Sequence, residues 1–117
     1  MQLEMSQRTI EGILILDCKG YIAFGEESAR LHDVLRTLIV KDSKIVVNLA
    51  GVNHIDSGGL GTLVALVNSA RVTNSSIVLA GLNSRVRDLL EITRLANFFS
   101  VSENVDTAIQ EFQSEAS

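Results

Sequence analysis

Residues 53–64 read NHIDSGGLGTLV. From Leu60 onward, apolar residues at Leu60, Leu63, Val64 and Val67 fall one, three and four positions apart, which predicts one face of a helix running to about Val72. Three glycines, Gly58, Gly59 and Gly61, crowd the start of that helix. Each costs about 0.5–1 kcal/mol relative to alanine inside a helix, so the segment needs a reason for them. Just upstream, KIVVNL at residues 44–49 is a short apolar run suited to a strand buried on both faces. A strand that ends near Leu49, a loop AGVNHI, and a helix opening at Asp56-Ser57 make the kind of junction where α/β proteins place their sites.

The same alternation extends outward. Residues 3–9 alternate apolar and polar at Leu3, Met5 and Gln7, as in a half-exposed edge strand. Glu11-Gly12 reads as a hairpin turn into a buried strand over residues 13–18. YIAF between Gly20 and Gly25 reads as an irregular bridge. Leu31, Val34, Leu35 and Leu38 give a helix from about residue 26 to 40, with Glu26 and Glu27 favourably placed in its first turn. Residues 77–80 (IVLA) predict another strand, and Val86, Leu89 and Leu90 a third helix. Residues 99–101 fit a short last strand, and Val105, Ala108, Ile109 and Phe112 a final helix. Strands alternating with helices predict an α/β domain with a mixed, mostly parallel sheet of four or five strands and four helices. The chain of 117 residues suits a single domain over residues 1–117.

Composition excludes several functions. Apolar residues make up 46% of the chain, enough for a real core. The net charge is −4 with no basic cluster, which argues against direct nucleic-acid binding and against anionic membrane surfaces. The uncharged stretch over residues 57–70 is too short and too polar to span a bilayer, so no membrane insertion is expected. The lone cysteine, Cys18, sits in the run ILILDC and reads as a core residue, which together with the absence of a signal-peptide pattern suggests a reducing cytoplasm. No His, Cys, Asp and Glu constellation has metal-ligand spacing, and no cofactor is expected.

Three chemistries compete for Asp56-Ser57. Either side chain could cap the helix. His54, Asp56 and Ser57 include the residue types of a hydrolase triad, but positions so close in sequence cannot place His between Ser and Asp, and no nucleophile elbow is present. The free N–H groups of a helix start could instead receive a phosphate, with the glycines giving it room. The glycines are then explained by access. The order is neither a P-loop nor a dinucleotide fingerprint, so a nucleotide-binding module is the weaker form of this idea.

Asp56-Ser57-Gly58-Gly59-Leu60-Gly61 after KIVVNL resembles the signature of the STAS domain, and the nearest group is the anti-sigma factor antagonists. EESARLHDVLRTL, IVLAGLNSRVRDLLEITRL and DTAIQEF are similar to the same family, so the resemblance spans nearly the whole chain. It implies a regulatory binding protein, not an enzyme, that is phosphorylated on Ser57 by a partner which is both anti-sigma factor and serine kinase. The unphosphorylated form would sequester that partner and free a sigma factor, and a phosphoserine phosphatase would restore it. Asp56, Gly58, Gly59, Leu60 and Gly61 would form the contact surface, with Asn53 and His54 beside them. The chain departs from the family at Gly20–Gly25, which lacks the usual acid; Tyr21 and Phe24 stand there as candidate partner anchors, or else pack in the core. Arg85, Arg87 and Arg94 fit a solvated helix face or a steering patch. The rival from the same family is a STAS subunit of another assembly, such as a stress-signalling scaffold or a lipid-transport complex.

Overall fold

The computed structural model describes residues 2–116, with side chains through residue 114. Nine elements follow one another: β1 (Leu3–Ile10), β2 (Ile13–Ile22), α1 (Glu26–Leu38), β3 (Lys44–Ile55), α2 (Ser57–Val72), β4 (Ser76–Ala80), α3 (Ser84–Ile92), β5 (Ser100–Ser102) and α4 (Val105–Ala116). The five strands lie in the order β1-β2-β3-β4-β5. β1 pairs antiparallel with β2, and every other neighbour is parallel. This is the mixed α/β sheet expected from the sequence.

The hairpin between β1 and β2 closes on two residues, Glu11 and Gly12, with φ of 52° and 80°. Two consecutive positive φ angles match the right-handed twist of the strands, and glycine adopts its angle without strain. Because strand side chains alternate, the sheet carries two separate cores. Leu16, Ile45, Val47, Leu49, Ile77 and Leu79 point to one face, where they meet Leu31 and Leu35 of α1, Leu63, Leu66 and Val67 of α2, and Val86 and Leu90 of α3. Ile13, Ile15, Val46 and Ala80 point to the other and meet Ala108, Ile109 and Phe112 of α4. Cys18 lies in the larger core, and burial pushes its thiol up to about 12, so it is inert packing.

Two strands run further than the sequence suggests. β2 continues through Tyr21 to Ile22, so of YIAF only Ala23 and Phe24 remain irregular, and β3 absorbs the whole of AGVNHI. The cause is a pair of register shifts, between Asp17 and Lys19 and between Gly20 and Tyr21. Each inserts an unpaired residue in β3 and breaks the two-residue period, so that Leu49, Val52 and Ile55 share one core at intervals of three. β4 pairs with β3 only as far as Asn48. The remainder of β3 therefore runs on beyond β4 beside β2, which β1 still flanks as far as Gly20, and the last pairs, Tyr21 with His54 and Ile22 with Ile55, carry the candidate site at their tip.

At the rim of the sheet, Arg8 grips Asp17 with Nε donating to Oδ2 at 2.7 Å and Nη2 to Oδ1 at 3.2 Å, and Asn48 Nδ2 donates to the same carboxylate at 2.8 Å. The Arg8 contact, helped by Asn48 and opposed by partial burial, holds the Asp17 carboxyl below its usual range. A folded-state value below the unfolded one stabilises the protein above about pH 4, and that contribution is lost as pH falls through the folded value. Asp17→Asn should therefore lose less stability than wild type between about pH 5 and pH 3 in urea melts; equal slopes would mean the pair contributes nothing.

Candidate functional site

The site forms where the ends of β2 and β3 meet the first turn of α2. Asp56 is the N-cap: extended at φ −91° and ψ 177°, it accepts the Gly59 N–H on Oδ1 at 2.8 Å. The same carboxylate also receives the Phe24 N–H, at 2.9 Å to Oδ2 and 3.1 Å to Oδ1. It thus ties the start of α2 to the turn between β2 and α1. The Asp56 N–H in turn donates to Ile22 O at 3.3 Å. The N–H of Phe24 chiefly, with that of Gly59, holds the carboxyl below its usual range.

Ser57 is the first residue of α2 and is exposed. Its side chain stands beside a cap whose acceptors are engaged by neighbouring amides, so Asp56 alone supplies the cap and the Ser57 hydroxyl is available for chemistry. Asn53 and His54 lie exposed near the end of β3, and His54 meets Tyr21 edge to face, with centroids 6.1 Å apart. Tyr21 is half-buried. Phe24 is 80% exposed, which answers its two alternatives in favour of the surface. His54 packs against Tyr21 at the end of a strand and is no base for Ser57 in a triad.

The three glycines have three different causes, which corrects the expectation that all of them provide access. A Cβ at Gly59 would lie 2.1 Å from the Ile22 carbonyl oxygen, so here helix and strand touch backbone to backbone. A Cβ at Gly58 would lie 2.5 Å from Phe24 Cβ and 2.7 Å from its Cδ1, so the phenyl ring rests on bare helix. Gly61 alone has nothing within 4 Å and faces solvent. Gly61→Ala should therefore raise stability by about 0.5–1 kcal/mol, read from the urea midpoint, because it removes helix-interior flexibility without a clash. Of the expected contact residues, Gly59 and Leu60 are buried, Leu60 at 3% exposure within the larger core, so neither presents a surface to a partner. Only Ser57, Gly61, Phe24, Asn53 and His54 are open, with Asp56, Gly58 and Tyr21 half-buried.

The helix start is also a poor nucleotide cradle. Its Gly59 amide already serves the chain's own Asp56 carboxylate, whose charge repels a free nucleotide's phosphates, and the space at Gly59 is filled by Ile22. Among the described residues no cluster of His, Cys, Asp and Glu could hold a metal ion, and no helix is long and apolar enough to cross a membrane. Arg85, Arg87 and Arg94 are all exposed, in keeping with a solvated face.

Sequence and structure comparisons agree with this fold. Residues 4–108 match the STAS domain model. The anti-sigma-B factor antagonist of Listeria monocytogenes is 33% identical over 107 residues, covering 91% of each chain. A Thermotoga maritima protein described as a putative anti-sigma factor antagonist superposes with a TM-score of 0.81 at 20% identity, covering 92% of each chain. The Bacillus cell fate determinant SpoIIAA in its phosphorylated form gives 0.69 at 13% identity, covering 93% of this chain and 99% of that one. Its unphosphorylated form gives 0.71 at 12%, covering 94% and 98%. The chain belongs to the STAS domain family and is related over most of its length to the anti-sigma factor antagonists.

Proposed function

We propose that this protein is itself an anti-sigma factor antagonist, a single regulatory domain over residues 1–117 that Ser57 switches. With Ser57 unmodified, the open surface around Ser57, Gly61, Phe24, Asn53 and His54 binds an anti-sigma factor that is also a serine kinase, and a sigma factor is released. The kinase then transfers a phosphoryl group from ATP: Ser57 Oγ forms the new O–P bond, the bond to the ADP oxygen breaks, and the hydroxyl proton leaves. A phosphoserine phosphatase hydrolyses the ester and restores binding. The chain is a substrate in this cycle rather than a catalyst, and it works in the cytoplasm without touching nucleic acid.

The observation that carries the proposal is the exposed Ser57 hydroxyl on the first turn of α2 beside a cap that does not need it. Kinship with the Listeria antagonist supports the partner class. The test is mass spectrometry of protein recovered from its own host, wild type beside Ser57→Ala. A gain of about 80 Da on the Ser57 peptide, one phosphoryl group, is expected in wild type. Absence of the modification under growth and stress conditions alike would leave a constitutive binding module.

A further inference from the structure

The Asp56 side chain adds a polar hold between two segments that already touch where Gly59 meets Ile22 and Phe24 rests on Gly58. Its carboxylate is shared between Gly59 of α2 and Phe24 of the β2–α1 turn. The turn has its own anchors on either side of Phe24: Ala23 O accepts from Ser28 N at 3.1 Å, and Gly25 O accepts from Ala29 N at 3.0 Å. The Phe24 N–H donates to both carboxylate oxygens of Asp56. The Phe24 ring is placed by that clamp and by the missing Cβ of Gly58, not by burial, since it is 80% exposed. An exposed aromatic fixed beside a modifiable serine is a contact a partner can read.

A phosphoryl group on Ser57 adds about −1.5 to −2 charges next to this carboxylate. The dipole and first-turn amides of α2 hold that charge close to the Asp56 carboxylate, and the two anions repel each other. Asp56 has two sets of bonds to give up. The one to Gly59 lies within its own helix turn and is the shorter, whereas the one to Phe24 reaches across to a surface turn that keeps its flanking anchors. Resting on the reading of Ser57 as a phosphorylation site, we propose that Asp56 is a positioning residue which couples Ser57 to Phe24, so that phosphorylation displaces the aromatic ring from Gly58. The switch then removes an apolar contact as well as adding charge.

Amide exchange and nuclear Overhauser contacts test this on the intact protein, with phosphoserine installed at position 57 during translation. That design needs no host kinase, so it stays separate from whether Ser57 is modified in the cell. Phosphoserine should speed exchange of the Phe24 amide about tenfold or more and weaken contacts between its ring and the Gly58 α-protons, with α4 amides unchanged. In unphosphorylated Asp56→Asn, whose single side-chain oxygen keeps the Gly59 cap, Phe24 should already exchange fast, and phosphoserine should change it little further. Two results overturn the proposal. One is an unaltered Phe24 amide and ring in the phosphorylated protein; the other is an equal response to phosphoserine in the wild-type background and in Asp56→Asn. Should Asp56→Asn fold poorly, the first comparison, made in the wild-type background, decides alone.

Discussion

Gly59→Ala is expected to lower the stability of the domain by about 3 kcal/mol, although alanine is the better helix former by about 1 kcal/mol. The added methyl would sit 2.1 Å from the Ile22 carbonyl oxygen, inside any permissible contact. Neither side can give way cheaply. Ile22 is the last residue of β2 and is fully buried, and its carbonyl also accepts the Asp56 N–H at 3.3 Å. Moving α2 outward would loosen the packing of Leu60 and Leu63 and weaken that hydrogen bond. In a chain of this size the loss corresponds to a Tm lower by roughly 10 °C. Thermal and urea melts of Gly59→Ala beside Gly61→Ala give the contrast, because the second substitution adds the same methyl to open space. Equal stability of the two variants would mean that α2 and β2 do not meet as described.

Phosphoserine at position 57 is expected to produce the second large effect. A partner surface that tolerates the neutral hydroxyl must accept about −1.5 to −2 charges in its place. One like-charge contact at about 5 Å and an effective dielectric of about 20 is worth roughly 3 kcal/mol, on the order of a hundredfold in affinity. Titration calorimetry of each serine-kinase anti-sigma factor encoded by the host, against protein with serine or phosphoserine at position 57, measures it. At least one should bind the serine form and lose about a hundredfold with phosphoserine, less so at high salt because Ser57 is exposed. Ser57→Ala should bind like wild type, since Asp56 and not Ser57 caps the helix. Undiminished binding of the phosphorylated protein would remove the charge switch.

Much of the fold was legible because its signals are local. Helical spacing of Leu31, Val34, Leu35 and Leu38, or of Val105, Ala108, Ile109 and Phe112, needs no knowledge of the rest of the chain. The hairpin at Glu11-Gly12 was readable for the same reason. What stayed hidden depends on contacts between distant segments. The far half of β3 lost its two-residue period to register shifts against β2, so AGVNHI looked like a loop. The glycines of α2 looked alike in sequence, and only the positions of Ile22 and Phe24, more than thirty residues upstream, tell Gly59, Gly58 and Gly61 apart. Asp56-Ser57 was visible as a site, yet the second hold of Asp56, on Phe24, spans 32 positions and leaves no local trace. Leu60 belonged to the motif but not to the surface, because a helix that starts at Ser57 turns its fourth residue inward.

The two cores of the sheet also bear on how such a protein can change. Ile13, Ile15, Val46 and Ala80 meet only α4's side, while Ser57 and its neighbours stand on the opposite layer. Substitutions in sets that share no partner combine additively. The α4 layer can therefore drift, tightening or loosening the fold to suit a host's temperature, while the surface proposed to meet a partner is left as it was. Stability can thus be adjusted on one side of the sheet without disturbing the proposed partner surface on the other.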